Sequence, residues 1–150
     1  MKLALLASGR LREEYARLAA ELYSKRIAKL CPFEVVEVRE PRGADPEKTA
    51  AALAARLRAD DRVVLLAAAG RECTSEDLAR KVGEALSAGR GRLVFVLGGP
   101  FGAGEAVTAR ADERLSLGRI TLPHELARVV LLEQIYRALA ILRGTPYHHG

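Results

Sequence analysis

The sequence predicts an α/β fold, a mostly parallel β-sheet with helices on both faces. Short apolar runs typical of buried strands alternate with longer segments of helical apolar spacing along the chain. Strands separated by helices pair in parallel, because each helix serves as a crossover connection. Hydrophobic residues make up 49% of the 150 residues, and no repeat or low-complexity linker interrupts the alternation. We therefore expect residues 1–150 to form a single domain that buries about two-thirds of its unfolded surface.

The first elements are a strand, a helix and a second strand. Residues 2–7 form an apolar run that predicts a buried strand. Apolar residues at helical spacing predict a helix over residues 11–29, and Pro32 ends it. Phe33–Val38 alternates in part between apolar and polar residues, which predicts the next strand.

The second helix has a recognisable start. Asp45 and Pro46 are residue types favoured at the N-cap and at the first helical position, within a predicted loop over residues 41–46. We expect this Ala-rich helix to reach about residue 59. Residues 62–67 then predict a buried strand, and residues 68–74 a loop.

The third helix and the strand after it are also marked by local signals. Residues 74–77, Thr-Ser-Glu-Asp, resemble a capping box, and the helix that they begin is expected to reach about Ala88. The apolar run over residues 92–97 predicts a buried strand, and a glycine-rich turn follows at residues 98–104.

The last third of the chain ends in a long helix. Residues 105–111 predict a short helix, and residues 114–117 and 120–122 are strand-like. The final helix is expected over about residues 124–143, with Gly144 ending it.

The glycine-rich turn follows a buried strand, and four of the seven residues 98–104 are glycine. Glycine lets backbone groups approach a ligand closely, and ligands of open α/β sheets lie at the carboxyl ends of strands. A dinucleotide-binding loop is a poor match, because the turn comes late in the chain and Val107 occupies the place of the third glycine. A ligand-binding loop and a tight Gly-Pro turn without a ligand both fit these residues.

The final helix is apolar on nearly all sides between Leu126 and Leu142. A helix with this pattern must be buried on more than one side. A partner subunit could supply the second cover, and so could the chain's own core. We expect dimerisation on this ground.

The composition bears on the class of partner. The formal net charge is +5, and 19 of the 24 basic residues are arginine. Arginine binds phosphate and stacks on bases, so this composition is consistent with a polyanionic partner, although genome composition also produces Arg-rich chains.

Cys31 and Cys73 match no metal-ligand spacing, and we expect no metal. No apolar run approaches the roughly 20 residues that span a bilayer, so we expect no membrane partner and a cytoplasmic protein.

Three segments carry a resemblance to a known family. They are LGGPFG at residues 97–102, LSLGRITLPHELARVVLLEQIYRA at residues 115–138 and PYHH at residues 146–149. They resemble the ribosomal large-subunit pseudouridine N3-methyltransferase family, RlmH, of the SPOUT class. The resemblance is dense over residues 93–148 and collinear over the rest of the chain.

The resemblance implies a fold, a reaction and partners. It implies a trefoil knot in the C-terminal half, with the knot and the cofactor site in about residues 63–150. It implies transfer of a methyl group from S-adenosyl-L-methionine to N3 of a pseudouridine in 23S rRNA within the ribosome. It also implies a homodimer with the last helix at the interface. The alternative function is a non-catalytic ribosome- or RNA-binding module that keeps a SPOUT-like fold.

The resemblance also assigns the cofactor contacts. Many family members have an Asp where this chain has Ala67, and a Lys where it has Arg71. The change to Arg71 keeps the charge, whereas Ala67 cannot take a polar side-chain role. The family's cofactor contacts fall on Leu66, Gly98, Leu117, Gly118, Arg119, Ile120, Thr121 and Leu122.

The last helix and the tail supply the other candidate residues. Glu133, Tyr147 and His148 are the catalytic candidates, since Tyr offers a stacking face and His a nitrogen that titrates near neutral pH. Arg128 and His124 are the substrate-binding candidates. Each has a simpler alternative, because Glu133 can pair with a residue four positions on, His124 can cap the helix, and terminal histidines often have no role.

Overall fold

The computed structural model describes residues 2–40, 43, 45–99 and 102–150, and within them five strands and five helices. Parts of the predicted loop at residues 41–46 and of the predicted glycine-rich turn, namely Pro41, Arg42, Ala44, Pro100 and Phe101, lie outside the described residues. In chain order the elements are β1 (Lys2–Ser8), α1 (Glu14–Leu30), β2 (Phe33–Val38), α2 (Pro46–Ala54), β3 (Arg62–Arg71), α3 (Ser75–Ala88), β4 (Arg92–Leu97), α4 (Glu105–Arg110), β5 (Glu113–Leu115) and α5 (His124–Arg143).

The strands form one parallel sheet in the order β2-β1-β4-β3-β5. β1, β4 and β3 each pair on both sides and are the inner strands; Leu5 of β1, for example, lies opposite Val35 of β2 and Phe95 of β4. β1 and β4 read as nearly continuous apolar runs. Alternate strand residues face two separate cores, one against α1, α3 and α5 and the other against α2 and α4. The predicted fold class, a mostly parallel sheet with helices on both faces, is confirmed.

Helix α5 lies between α1 and α3 over one face of the sheet. Leu131, Leu132 and Ile135 are fully buried there, and Arg143 donates a hydrogen bond to the carbonyl of Leu30 at 2.6 Å. Much of the apolar surface that surrounds α5 is therefore covered within the chain. In the part of the chain that the structure describes, no helix has the length and apolarity needed to cross a bilayer.

Helix α2 is shorter than the sequence predicts, because it ends at Ala54 rather than near residue 59. The backbone groups that would continue it have other partners. The N–H of Arg58 donates to Asp61 at 2.7 Å, and the carbonyl of Arg56 accepts from the Arg92 guanidinium at 3.1 Å. Contacts between segments distant in sequence thus end the helix where its Ala-rich composition would let it continue.

Strand β3 is longer than predicted, because residues 68–71 continue the strand instead of beginning a loop. Its pairing with β5 changes register between Leu66 and Arg71, both of which pair with Leu115, so the residues between them bulge. Gly70 allows the close approach, since a Cβ there would lie 2.7 Å from the backbone carbon of Leu115.

The strand-like segments predicted after residue 113 are only partly correct. β5 is limited to Glu113–Leu115, and residues 120–122 form no strand. The Ser116 hydroxyl bonds both the N–H and the carbonyl of Gly118, and Gly118 has a φ of 130°. This turn directs the chain away from the sheet.

A buried ion pair joins Arg92, the first residue of β4, to Asp61, which directly precedes β3. Arg92, 6% exposed, donates two hydrogen bonds to Asp61, at 2.9 and 2.7 Å, and one to Glu34 at 3.0 Å. Burial opposes ionisation of Asp61, but the hydrogen bonds from Arg92 and from the N–H of Arg58 outweigh it and hold the pKa of Asp61 below its ordinary value. The pair ties β4 to the start of β3 and to β2.

Candidate functional site

A cavity of about 410 Å³ lies at the carboxyl ends of β3 and β4. We call it the loop pocket, because two loops, around residues 98–103 and 116–122, supply most of its wall. All eight residues that the resemblance assigns to the cofactor line it, and so does the substrate candidate His124. The full lining is Leu66, Ala67, Ala68, Leu97, Gly98, Gly99, Gly102, Ala103, Leu115, Ser116, Leu117, Gly118, Arg119, Ile120, Thr121, Leu122, His124 and Ala127.

The glycine-rich turn forms one wall of the loop pocket. Gly102 donates to the carbonyl of Gly99 at 3.0 Å, so the chain turns back tightly on itself. A Cβ at Gly98 would lie 2.7 Å from the carbonyl oxygen of Gly102 and from the Cα of Ala103. The turn is therefore tight, and three of its glycines, Gly98, Gly99 and Gly102, line the pocket. That it binds a ligand stays a prediction.

The second loop is anchored at its start. Ser116 is 7% exposed, and its N–H donates to the carbonyl of Arg71 at 3.0 Å. Beyond this anchor Arg119, Ile120 and Thr121 are exposed, and Ile120 is 84% exposed although it lines the pocket.

The chemistry of the lining fits S-adenosyl-L-methionine. Leucine side chains from β3, β4, β5 and the second loop supply apolar wall for an aromatic ring, and the glycines leave backbone groups accessible. Polar side chains among the lining residues are few: Ser116, Arg119, Thr121 and His124. We infer that a flat apolar ring with a small number of polar groups is the kind of ligand that the loop pocket would hold.

Several pocket residues were not predicted. Ala67 and Ala68 enter through the β3 bulge, where the sequence predicts the end of a strand at Ala67 and a loop from Ala68, and both add small apolar side chains to the wall. Ser116 anchors the second loop, and its spacing of two residues from Gly118 is the signal that could have revealed it.

The three catalytic candidates come together away from the loop pocket, where the tail that follows α5 contacts that helix. With Arg137 they form what we call the tail cluster: Glu133, Arg137, Tyr147 and His148. The Tyr147 hydroxyl donates to Glu133 at 3.0 Å, and Arg137 donates to the same carboxylate at 2.6 Å. His148 lies 3.0 Å from Arg137 through Nδ1 and 2.7 Å from Glu76 through Nε2. None of the four lines the loop pocket.

The contacts of His148 determine where its proton lies. A guanidinium can only donate, so Nδ1 of His148 accepts from Arg137, and Nε2 carries the proton and donates to Glu76. This hydrogen bond lowers the pKa of Glu76. Burial, with the neighbouring Tyr23 and Glu133 side chains, raises the pKa of Tyr147, which stays a neutral phenol. In this conformation Nδ1 of His148 is therefore not free to accept another proton.

Arg128 is buried rather than presented to solvent. Its side chain is 2% exposed, and its guanidinium donates to Glu37 at 2.5 Å and to the carbonyl of Gly9 at 2.9 Å. Its Nε has no hydrogen-bond partner among the described residues. Arg128 therefore joins α5 to the carboxyl ends of β1 and β2, whereas its neighbour His124 reaches the loop pocket.

Comparison with known families identifies the chain. A family model described as "Predicted SPOUT methyltransferase" matches residues 1–148. The chain belongs to this family of SPOUT methyltransferases. The loop pocket is thus the cavity of a SPOUT methyltransferase, and the tail cluster lies near the end of the region that the family model covers.

Within the SPOUT methyltransferases, the chain is similar along its whole length to proteins named "Ribosomal RNA large subunit methyltransferase H". The protein from Rubrobacter xylanophilus is 49% identical over 96% of each chain. The proteins from Geobacter metallireducens and Latilactobacillus sakei are 40% and 34% identical, over 100% and 99% of each chain. The resemblance drawn from the sequence is confirmed.

Proposed function

We propose that this chain is an S-adenosyl-L-methionine-dependent methyltransferase acting on large-subunit ribosomal RNA, at N3 of a pseudouridine in 23S rRNA. The observation that carries the proposal is the convergence of all eight expected cofactor residues on the loop pocket. The names of the relatives, ribosomal RNA large subunit methyltransferases, support the class of substrate. The cytoplasm, where ribosomes are assembled, is the expected location.

The chain's own residues supply binding and positioning. S-adenosyl-L-methionine, when bound, supplies an already activated methyl group. The leucines of the loop pocket would enclose the ligand's ring, and the loops at Gly98 and Leu117 would offer backbone hydrogen bonds. The exposed Arg119 at the pocket would face the RNA. The trefoil knot stays a prediction.

Removal of the N3 proton needs an acceptor, and the tail cluster holds the candidates. Glu133, Tyr147 and His148 lie outside the loop pocket of their own chain. We propose that the protein is a homodimer in which the tail of one subunit completes the pocket of the other. His148 must leave Arg137 before its Nδ1 can accept a proton.

The exposed apolar residues of α1 support a homodimer. Leu18 is 61% exposed and Leu22 is 47% exposed, and they lie four residues apart on one face. Helix α1 packs along α5, the helix that carries Glu133. The interface that we propose includes this exposed face of α1 and not the buried residues of α5.

The test of the reaction is methyl transfer from radiolabelled S-adenosyl-L-methionine to intact ribosomes, separated subunits and naked rRNA. Nuclease digestion of the product then locates the methyl group. We expect label at N3 of a pseudouridine in 23S rRNA. RNA binding without label on any substrate would favour the alternative, a non-catalytic ribosome- or RNA-binding module with a SPOUT-like fold.

The test of the shared site is complementation between two inactive variants. One lacks residues 147–150, and the other carries Gly98→Val. Random pairing makes half of the dimers mixed, and each mixed dimer holds one site with both an intact pocket and an intact tail. We expect about a quarter of wild-type activity after co-expression. No recovery, with mixed dimers present by mass spectrometry, would place the tail over its own pocket.

A further inference from the structure

A second cavity, of about 1300 Å³, lies at the carboxyl ends of β1 and β2. We call it the N-terminal groove. His124 lines both it and the loop pocket, so the two cavities are adjacent. The groove is lined by Ser8, Gly9, Arg10, Arg12, Glu13, Tyr15, Glu37, Arg39, Glu40, Pro123, His124 and Glu125.

Most of the carboxylates of the groove are occupied within the chain. Glu37 pairs with the buried Arg128 at 2.5 Å. Glu125 accepts from the N–H of Arg12 at 2.7 Å and from the N–H of Glu13 at 3.0 Å. Chiefly through the Glu13 bond, these contacts lower the pKa of Glu125. Glu40 accepts from the Ser8 hydroxyl at 3.4 Å. Glu13 is the fourth carboxylate of the lining.

The arginine side chains of the groove are exposed. Arg10, Arg12 and Arg39 are all exposed, and no hydrogen bond or ion pair joins their guanidinium groups to another described residue. Guanidinium groups that the chain leaves without a partner can form two parallel hydrogen bonds with a phosphate. Tyr15 beside them is 51% exposed and offers a ring on which a base can stack.

We propose that the N-terminal groove binds a single-stranded stretch of RNA that adjoins the nucleotide presented to the loop pocket. The inference rests on the proposed function, since it deepens the account of the substrate. Three arginines would follow the phosphates, and Tyr15 would stack on an unpaired base, which a duplex does not offer. The wall that both cavities share at His124 would fix the distance between the bound strand and the methyl donor.

The experiment compares wild type with the double variant Arg10→Ala/Arg39→Ala. A fluorescent single-stranded RNA reports Kd over a range of salt, the ribosomal substrate that accepts the label in the test of the reaction reports KM and kcat, and calorimetry reports cofactor affinity. The matched control is Arg90→Ala, which removes an exposed arginine at the opposite, amino end of the strands.

We expect the double variant to bind RNA about tenfold or more weakly, because each arginine that is removed takes away a charge-assisted hydrogen bond to a phosphate. Its salt slope should fall by about 1.4, at about 0.7 for each single-strand phosphate contact. KM for the ribosomal substrate should rise in the double variant, while its cofactor affinity should equal that of wild type. Arg90→Ala should keep the wild-type Kd, salt slope and KM. Tyr15→Ala should weaken RNA binding by about tenfold, and Tyr15→Phe should keep it, because only the ring is needed for stacking.

Three results would overturn the inference: wild-type Kd and salt slope in the double variant, an equal loss in Arg90→Ala, or equal affinity for a duplex of the same sequence. These results are distinct from failure of the proposed function. A wild-type protein that binds RNA through the groove but transfers no methyl group would contradict the reaction alone. Full methyl transfer by the double variant at low concentration of the ribosomal substrate would contradict RNA binding by the groove alone.

Discussion

At the scale of single residues, the glycines of the loop pocket differ in how much space surrounds them. A Cβ at Gly98 would meet the backbone of Gly102 and Ala103 at 2.7 Å, closer than real Cβ contacts. A Cβ at Gly99 would meet its nearest neighbours, Glu40 and Ser8, at an ordinary 3.7 Å. A substitution at Gly98 therefore acts by displacing the glycine-rich turn, before any clash with a ligand.

We predict that Gly98→Ala weakens cofactor binding by about tenfold or more, since overpacking costs about 1–3 kcal/mol. Gly99→Ala is the matched control and should bind nearly as wild type. Isothermal titration calorimetry with S-adenosyl-L-methionine measures both variants. Equal affinities would show that the turn does not shape the binding site.

The tail cluster leads to a second prediction at this scale. Deleting residues 147–150 removes contacts to Glu133, Arg137 and Glu76, all of which are at least partly exposed. The deletion also removes the edge-to-face contact of Tyr147 with Tyr136, whose ring packs against the core, but no fully buried residue is lost. We therefore expect wild-type cofactor affinity and only a small decrease in melting temperature. Single-turnover methyl transfer to ribosomes should fall about 100-fold, the scale for loss of a positioned acid–base group. Full activity of the shortened protein would show that the tail has no part in the reaction.

At the scale of secondary structure, the ion pair of Arg92 with Asp61 ties the start of β4 to the start of β3, and we expect substitutions in it to lower the stability of the fold strongly. The Asp61 side chain has no exposed surface, and that of Arg92 is 7% exposed. Removing one partner of such a pair leaves the other charge buried, which costs about 3–5 kcal/mol.

We predict that Asp61→Asn lowers the free energy of unfolding by about 3 kcal/mol at neutral pH. Because the pKa of Asp61 is held below its ordinary value of 3.8, the carboxylate stabilises the fold above that pH. Its contribution is lost as the pH falls through the lowered pKa. Urea denaturation from pH 7 downwards should therefore show the difference between variant and wild type shrinking in acid. Asp60→Asn, at the exposed neighbouring position, is the control and should match wild type.

Elements with chemical signals of their own were predicted correctly from the sequence. Asp45 and Pro46 begin α2, Thr74 and Asp77 form the capping box of α3, and Gly144 ends α5 in a left-handed conformation. Each of these signals acts over three or four residues, so the local sequence contains the whole cause.

Boundaries set by distant contacts were not predictable in the same way. The end of α2 depends on Arg92, and the extension of β3 depends on the close approach of Gly70 to Leu115. The candidate site likewise has a part that the sequence could indicate and a part that only the fold determines. Glycine content and the resemblance to a family indicated the loops of the loop pocket. Nothing in the spacing could show that Tyr147 and His148 lie apart from it, since that separation is a property of the fold.

At the scale of the whole molecule, the exposed face of α1 gives a test of dimerisation that does not disturb the core. Leu132 and Ile135 are 1% and 0% exposed, so a charge there would unfold the chain. Leu18 and Leu22 are exposed, so a lysine at either position should leave the folded monomer intact.

We predict that the wild-type protein sediments near twice the chain mass of 16.2 kDa. Leu18→Lys/Leu22→Lys should sediment as a folded monomer, because two charges would face each other across the interface. Val35→Lys changes an apolar residue that is 39% exposed on the edge strand β2, and it should stay dimeric. A dimer of unchanged stability in the α1 variant would place the interface on another surface.

The packing of α1 against α5 also fixes when folding can finish during synthesis. Glu125 accepts a hydrogen bond from the N–H of Arg12, 113 positions earlier in the chain. Arg143 donates a hydrogen bond to the carbonyl of Leu30 across the same number of positions. At about 5–20 residues per second, a ribosome takes about 6 to 23 seconds to translate that stretch. Throughout this time the apolar face of α1, with Ala16, Ala20 and Ile27, lacks the helix that covers it. Nascent chains stalled before residue 124 should therefore be cleaved readily within α1, and release of the finished chain should make it protease-resistant.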